Sequence, residues 1–107
     1  YILNGDLDGF VRQGALGNIG RIASKAATIR SLGDCAAYRW VIEGRAEAMI
    51  ESTVSAWDVA ALEIIVEEAG GRITAWSGGR SWHSKKESNV VASNGRIHDE
   101  LLRLLRR

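Results

Sequence analysis

Two carboxylates, Glu51 and Asp58, stand seven residues apart in this chain. Asp58 follows the bulky aromatic Trp57 and sits directly at a predicted helix start, while Glu51 ends a predicted strand. An aspartate at a helix start accepts backbone N–H bonds as an N-cap. The positive end of the helix dipole also keeps it ionised. The same carboxylate suits a hard cation, which takes oxygen ligands. Spacing leaves cap and ligand both open, because one carboxylate does not make a metal site and no local partner stands nearby. Glu51 by itself reads as a solvated surface acid.

The remaining reactive residue types have simple structural readings. Asp34 is placed to cap another helix. Cys35 follows it, where a thiol pKa can fall; no His lies near in sequence, so a buried small residue is the reading. His83 shares a polar loop with Lys85 and Lys86, a small basic spot able to meet phosphate but read first as solvated loop. His98, Asp99 and Glu100 fall in the first turn of the last helix. The acids suit its dipole, and His98 is expected to face solvent. Gly14, Gly17 and Gly20 do not have the G-x-G-x-x-G spacing and follow no strand, so they carry no nucleotide-binding weight. The sequence has no CxxC, HExxH, Walker A or GxSxG motif.

The elements that would position these residues alternate along the chain. Residues 1–13 are polar and rich in Gly and Asp, a turn-rich opening. Leu16, Ile19, Ile22 and Ala26 have helical spacing within residues 14–27, where three glycines weaken the helix by about 1 kcal/mol each. Residues 29–33 form a short strand. A helix over residues 35–43 is apolar nearly all round, with Arg39 and Glu43 four apart on one polar stripe. Such a helix must be covered on most sides. A strand over 47–51 and a loop over 52–56 lead to the clearest helix, 59–69, closed by Gly70-Gly71. Its acids Glu63 and Glu67 share a stripe. A strand over 72–76, a polar loop over 77–88 and a strand over 89–93 follow. The last helix carries Ile97, Leu101, Leu104 and Leu105 on one face. The class is α/β with layered packing of sheet and helices.

Composition sets the outer bounds. The chain has 107 residues, 46% hydrophobic and 25% charged, which suits an ordered globular unit. Net charge is +1, from 14 basic and 13 acidic residues, so no long-range field draws nucleic acid or anionic membrane. Lys85-Lys86 and the arginines from Arg103 to Arg107 read as solvated charges rather than a nucleic-acid surface. A single cysteine rules out an internal disulfide framework and suits a reducing cytoplasm. No apolar run approaches the roughly 20 residues of a membrane span. With no proline, twelve glycines must carry the turns. The chain begins at Tyr1 and its sole Met is Met49, which reads as a fragment or processed product.

One stretch is more specific than any spacing argument. Trp57-Asp58-Val59-Ala60-Ala61-Leu62, running on to Glu67-Glu68-Ala69-Gly70-Gly71, resembles the second signature of the inositol monophosphatase family, a W-D-x-A-A helix closed by E-A-G-G. Arg30-Ser31-Leu32-Gly33-Asp34 resembles that family's R-x-x-G-[SD] turn. Residues 41–51 resemble its V-A-x-G-x-A-D segment, and Ala92-Ser93-Asn94-Gly95 with Ile97 to Leu102 its closing strand and helix. The resemblance covers residues 29–107, a C-terminal α/β subdomain, with residues 1–28 as a loosely matching opening segment holding a helix. Asp34, Tyr38 and Leu62, where inositol phosphatases tend to carry other residues, favour the histidinol-phosphatase branch. An acid at position 34 also suits a cationic histidinol better than a neutral polyol.

The resemblance implies a fold and a set of roles. The fold is the C-terminal half of the inositol monophosphatase (sugar phosphatase) fold. Asp58 would ligate a catalytic Mg²⁺, which is compatible with its also being a cap. Glu51 would bind the alcohol-bearing end of the substrate, and Gly33, Asp34 and Cys35 would line the same pocket. The reaction would be hydrolysis of a phosphate monoester, L-histidinol phosphate in histidine biosynthesis, with an inositol-1-phosphatase or another small phosphomonoesterase of the family as the alternative. The partner set would be a small phosphorylated substrate, the N-terminal half of the same enzyme and, in the complete protein, a second copy. Neither nucleic acid nor membrane is expected.

The family's first signature, with its D-P-x-D-G-T run, has no counterpart here. Asp6-Leu7-Asp8-Gly9-Phe10 echoes it but lacks the Pro and the Thr and stands too close to the second signature. The N-terminal metal-binding half is therefore expected to be absent, leaving this chain inactive alone and one face of its sheet bare. Ser52, where Pro is common, and Ala56 before Trp57 are smaller departures. A reading of another class is a degenerate, non-catalytic half-module that binds a partner; the intact Glu51 and Asp58 speak against it.

Overall fold

The computed structural model describes residues 1–32 and 36–106. Its element order is β1 (Ile2–Asn4), α1 (Leu7–Arg12), α2 (Leu16–Ala23), β2 (Ile29–Ser31), α3 (Ala36–Ile42), β3 (Ala48–Ser55), α4 (Ala56–Glu68), β4 (Arg72–Thr74) and β5 (Glu87–Ser93), then α5 (His98–Leu105). A short 3₁₀ turn, Ser81–His83, precedes β5. The strands form one five-stranded sheet in the order β2-β1-β3-β5-β4. The β2, β1 and β3 strands run parallel, and β5 pairs antiparallel with both β3 and β4.

The sheet is apolar on both faces, as a sheet covered by helices must be. Successive residues alternate between two cores. Leu3, Met49, Val90 and Ala92 face α3 and α4 through Tyr38, Val41, Val59, Leu62 and Val66. Ile2, Ala48, Ile50 and Val91 face Phe10 of α1, Ile19 and Ile22 of α2 and the leucines of α5. The expectation of a bare sheet face is thus corrected. Its surplus apolar surface lies instead on helices, above all on the outer side of α4, where Trp57, Ile64 and Ile65 are exposed. A helix apolar on both sides is built to be covered on both.

The turn-rich reading of residues 1–13 is also corrected. They contain β1, an interior strand of the sheet, and α1. Three residues are too few for local periodicity; β1 is a strand because Ile2, Leu3 and Asn4 pair with residues 29–31 on one side and 48–50 on the other. The loop expected at 52–56 is likewise mostly strand, since β5 extends down to Glu87 to pair with Ser55. The other strands and helices fall where their patterns predicted them, within a few residues. Arg39 and Glu43 do bond across one turn of α3, at 2.8 Å. Gly70 ends α4 with φ +86°, which favours glycine. Gly71 is required by space, since a Cβ there would lie 2.5 Å from the Ser93 carbonyl oxygen.

Candidate functional site

The site is assembled by topology. From β1 the chain steps to β2 through α1 and α2 on one face, then crosses back over β1 to β3 through α3 on the other. Crossovers of one hand demand this exchange of faces when direction reverses. The reversal opens a crevice at the carboxyl ends of the parallel strands, where α/β sheets bind ligands. Two segments leave the sheet there, Gly5-Asp6 after β1 and Leu32 after β2, while β3 runs on past them from Glu51 paired only with β5. The expected pocket residues Gly33, Asp34 and Cys35 follow Leu32 in sequence but lie outside the described residues.

Backbone bonds draw these ends together. The Gly5 N–H donates to the Ile50 carbonyl at 2.9 Å, and the Leu32 N–H to the Asn4 carbonyl at 2.9 Å. Asn4 is buried, and its side-chain amide donates to Ser31 Oγ at 3.0 Å and to the Gly5 carbonyl at 2.8 Å. A buried amide needs such partners, and these two tie the ends of β1 and β2.

Past this point β3 loses register. Glu51 opposes Val90, but Val54 opposes Ser88, so Ser52 and Thr53 form a bulge. Bulges re-aim side chains at the rims of sheets. Here a cleft of about 110 Å³ forms between the bulge and α1, lined by Asp6, Asp8, Arg12, Glu51, Ser52 and Thr53 with Gly9. Arg12 lies 3.6 Å from Asp8, four residues before it on α1. Thr53 Oγ1 accepts from Gln13 Nε2 at 3.3 Å. A polar cleft of about 270 Å³, lined in part by Ser52, Thr53, Lys85, Ser88 and Asn89, adjoins the same bulge.

Asp58 follows directly. The helix α4 begins at Ala56, so its N-cap is Ser55 and Asp58 stands one residue past the middle of the first turn. The N-cap reading of Asp58 is therefore corrected. β3 runs straight into α4 without a loop, which moves the helix start three residues earlier than the Asp pattern predicted. The Ser55 hydroxyl donates to Asp58 Oδ2 at 2.9 Å, and the carboxylate is exposed. Its other oxygen has no partner among the described residues. The arrangement offers an oriented, solvent-facing oxygen beside a helix N-terminus, a donor type that hard cations take. Among the described residues no group of three His, Cys, Asp or Glu side chains converges, so they place no complete cation ligand set around Asp58.

The two histidines behave differently. His98, expected to face solvent, is fully buried. Its Nε2 lies 2.8 Å from Thr74 Oγ1 and its Nδ1 2.7 Å from Ser93 Oγ, which also accepts from the Gly95 N–H at 3.0 Å. A neutral imidazole carries one N–H, so one hydroxyl donates and the other accepts. Burial, with the nearby Arg72 charge, holds His98 down to about 4 against the opposing pull of Asp99. His83 sits on the surface with Nε2 3.2 Å from Glu63 Oε1. Glu63 also accepts from Trp82 Nε1 at 3.0 Å and pairs with Arg80, which bridges to Glu67. The acidic stripe of α4 thus anchors the 3₁₀ turn.

Sequence reasoning missed Asn4, Gly5, Asp6, Ser52 and Thr53 as neighbours of the site. The apolar pair Ile2-Leu3 before Asn4-Gly5 was the available signal, a short strand ending in a turn.

The sequence model of the inositol monophosphatase family matches residues 6–107. A histidinol-phosphatase of Mycobacterium tuberculosis is 38% identical over 90% of this chain and 36% of its own length. A histidinol-phosphatase of Streptomyces coelicolor is 42% identical over 90% of this chain and 35% of its own length. The solved structure of the Thermotoga maritima IMPase superposes with a TM-score of 0.79 at 33% identity, over 98% of this chain and 39% of that one. The chain therefore spans about a third of the length of the curated relatives it matches.

Proposed function

The chain belongs to the inositol monophosphatase family, and on that premise we propose that it is the C-terminal part of a Mg²⁺-dependent phosphomonoesterase acting on L-histidinol phosphate. The observation that carries this reading is that β3 brings Glu51 to an acid-lined cleft and leads directly into α4, whose first turn holds the solvent-facing carboxylate of Asp58. Among the described residues, Asp6, Asp8 and Glu51 bring three carboxylates to this cleft and Arg12 one guanidinium, 3.6 Å from Asp8. That charge complements an amine or imidazolium better than a neutral polyol. Likeness to two histidinol-phosphatases supports the same substrate class.

In this reading Glu51 and the residue 33–35 segment hold and orient the alcohol end of the substrate. Ser52 and Thr53 add hydroxyls at the rim. Asp58, steadied by Ser55, holds Mg²⁺ together with ligands from outside this chain. When bound, that ion neutralises charge on the phosphoryl oxygens and lowers the pKa of its water. The outer side of α4, with Trp57, Ile64 and Ile65 exposed, packs against the remaining part of the enzyme, and the complete protein is a homodimer working in the cytoplasm. Among the described residues no helix is long and apolar enough to cross a membrane.

Likeness to the Thermotoga IMPase keeps inositol 1-phosphate as the second substrate to assay. The test is phosphate release with Mg²⁺ from both compounds, by this chain alone and joined to the rest of the protein. Turnover of histidinol phosphate by the joined protein only is the expected result. Preference for inositol 1-phosphate overturns the substrate, and turnover by the chain alone overturns the claim that its ligand set is incomplete.

A further inference from the structure

We propose that Gly5 is a positioning residue for the Glu51 carboxylate, and through it sets how tightly the alcohol end of the substrate is held; this rests on the reading of Glu51 as a substrate-binding group. Gly5 is buried where β1 ends, its N–H bonded to the Ile50 carbonyl. It is not among the glycines with positive φ, so no left-handed backbone bars a side chain there. The space is not. A Cβ at position 5 would lie 2.9 Å from Cγ, 3.2 Å from Cδ and 3.6 Å from Oε2 of Glu51. The Glu51 side chain lies across the bare α-carbon of Gly5, and that contact limits where its carboxylate points.

What a methyl group would displace decides the role. At Gly71 the obstruction is a backbone carbonyl, which cannot move without the strand. At Gly5 it is a side chain, and the nearest atom is Glu51 Cγ, which only a turn about χ1 can move, carrying the carboxylate with it. Gly9 repeats the arrangement on a smaller scale, since a Cβ there would lie 2.7 Å from Ser52 Oγ, an atom that only a change of χ1 can move. Gly5 and Gly9 thus leave room for the two adjacent side chains that turn from β3 toward the cleft. Enzymes lose large factors to displacements of about 1 Å in such groups.

The test is steady-state kinetics and thermal melting of the full-length protein that carries this chain, with histidinol phosphate and inositol 1-phosphate as probes. Four forms are compared: wild type, Gly5→Ala, Glu51→Ala and the double variant. For Gly5→Ala the expected result is a KM raised about tenfold with kcat within about threefold. Its melting temperature should stay within about 3 °C of wild type. In the Glu51→Ala background the same substitution is expected to change KM by less than about twofold, because nothing remains to displace. Glu51→Ala raising KM while Gly5→Ala leaves it unchanged overturns the inference alone. Equal effects of Gly5→Ala in both backgrounds, or a loss of melting temperature that Glu51→Ala does not relieve, overturn it too. Glu51→Ala without effect on KM for either probe overturns the underlying reading of Glu51.

Discussion

The two ends of the sheet treat polar groups in opposite ways. Where β5 ends, His98, Thr74 and Ser93 are buried and bonded to one another, with the Gly95 N–H completing the set. Where β3 ends, Asp6, Glu51, Ser52 and Asp58 border clefts or open solvent. A buried polar group without a partner is costly, so the first cluster closes on itself and specifies structure. The second lies where a ligand can reach it. Substitutions at the open end should therefore cost activity, and substitutions at the closed end should cost stability.

The largest expected effect is at the open end. Asp58→Asn should lower kcat/KM of the full-length protein with Mg²⁺ present by more than the roughly 10–100-fold that loss of a ligand's outer-shell partner costs. Its melting temperature should shift by no more than about 3 °C. Substantial remaining activity would break the contrast by making Asp58 a mere helix-start acid.

The closed end is probed by acid. His98 titrates near 6.5 when unfolded and at about 4 when folded. Between those values the unfolded chain binds the extra proton, so stability falls as pH drops from about 6.5 toward 4 and then levels off. The loss is at most about 3 kcal/mol, read by urea unfolding across that window. His98→Gln should flatten the dependence. The Arg72 hydrogen bond holds Asp99 below the usual carboxylate value of 3.8, so its stabilisation is lost only at lower pH and does not blur the window.

Gly71→Ala should cost about 2 kcal/mol in urea unfolding, because the new methyl meets backbone. Wild-type stability in that variant would show that the β4 start can yield. The smallest effect belongs to a site at neither end. Arg39→Ala removes an exposed pair with Glu43 and should move the melting temperature by no more than about 2 °C. A larger shift would mean that surface charge shares the work assigned here to the two ends.

What the sequence made legible follows the range of the interactions involved. The helices α3, α4 and α5 and the strands β2 and β4 were readable because period, terminal glycines and β-branched residues are local signals. The β1 strand was not, since it is held by pairing with residues 29–31 and 48–50. The bulge at Ser52-Thr53 was read as a loop because its polar residues hide a ladder that resumes at Val54. His98 was misplaced for the same reason: its partners come from β4 and β5, 24 and 5 residues away. Glu51 and Asp58 were marked as site residues by family resemblance, whereas the cleft at Glu51, built in part from α1, emerged only with the fold.

Both outer strands of the sheet, β2 and β4, are three residues long. Each offers a foreign strand a ladder of only about 10 Å, and β2 is mostly exposed to solvent rather than flat and greasy. Fibrillar growth by strand addition needs a longer template. If this chain is made apart from its other partners and self-associates, the clumping should proceed through helix surfaces and stay amorphous, without the thioflavin response of stacked strands.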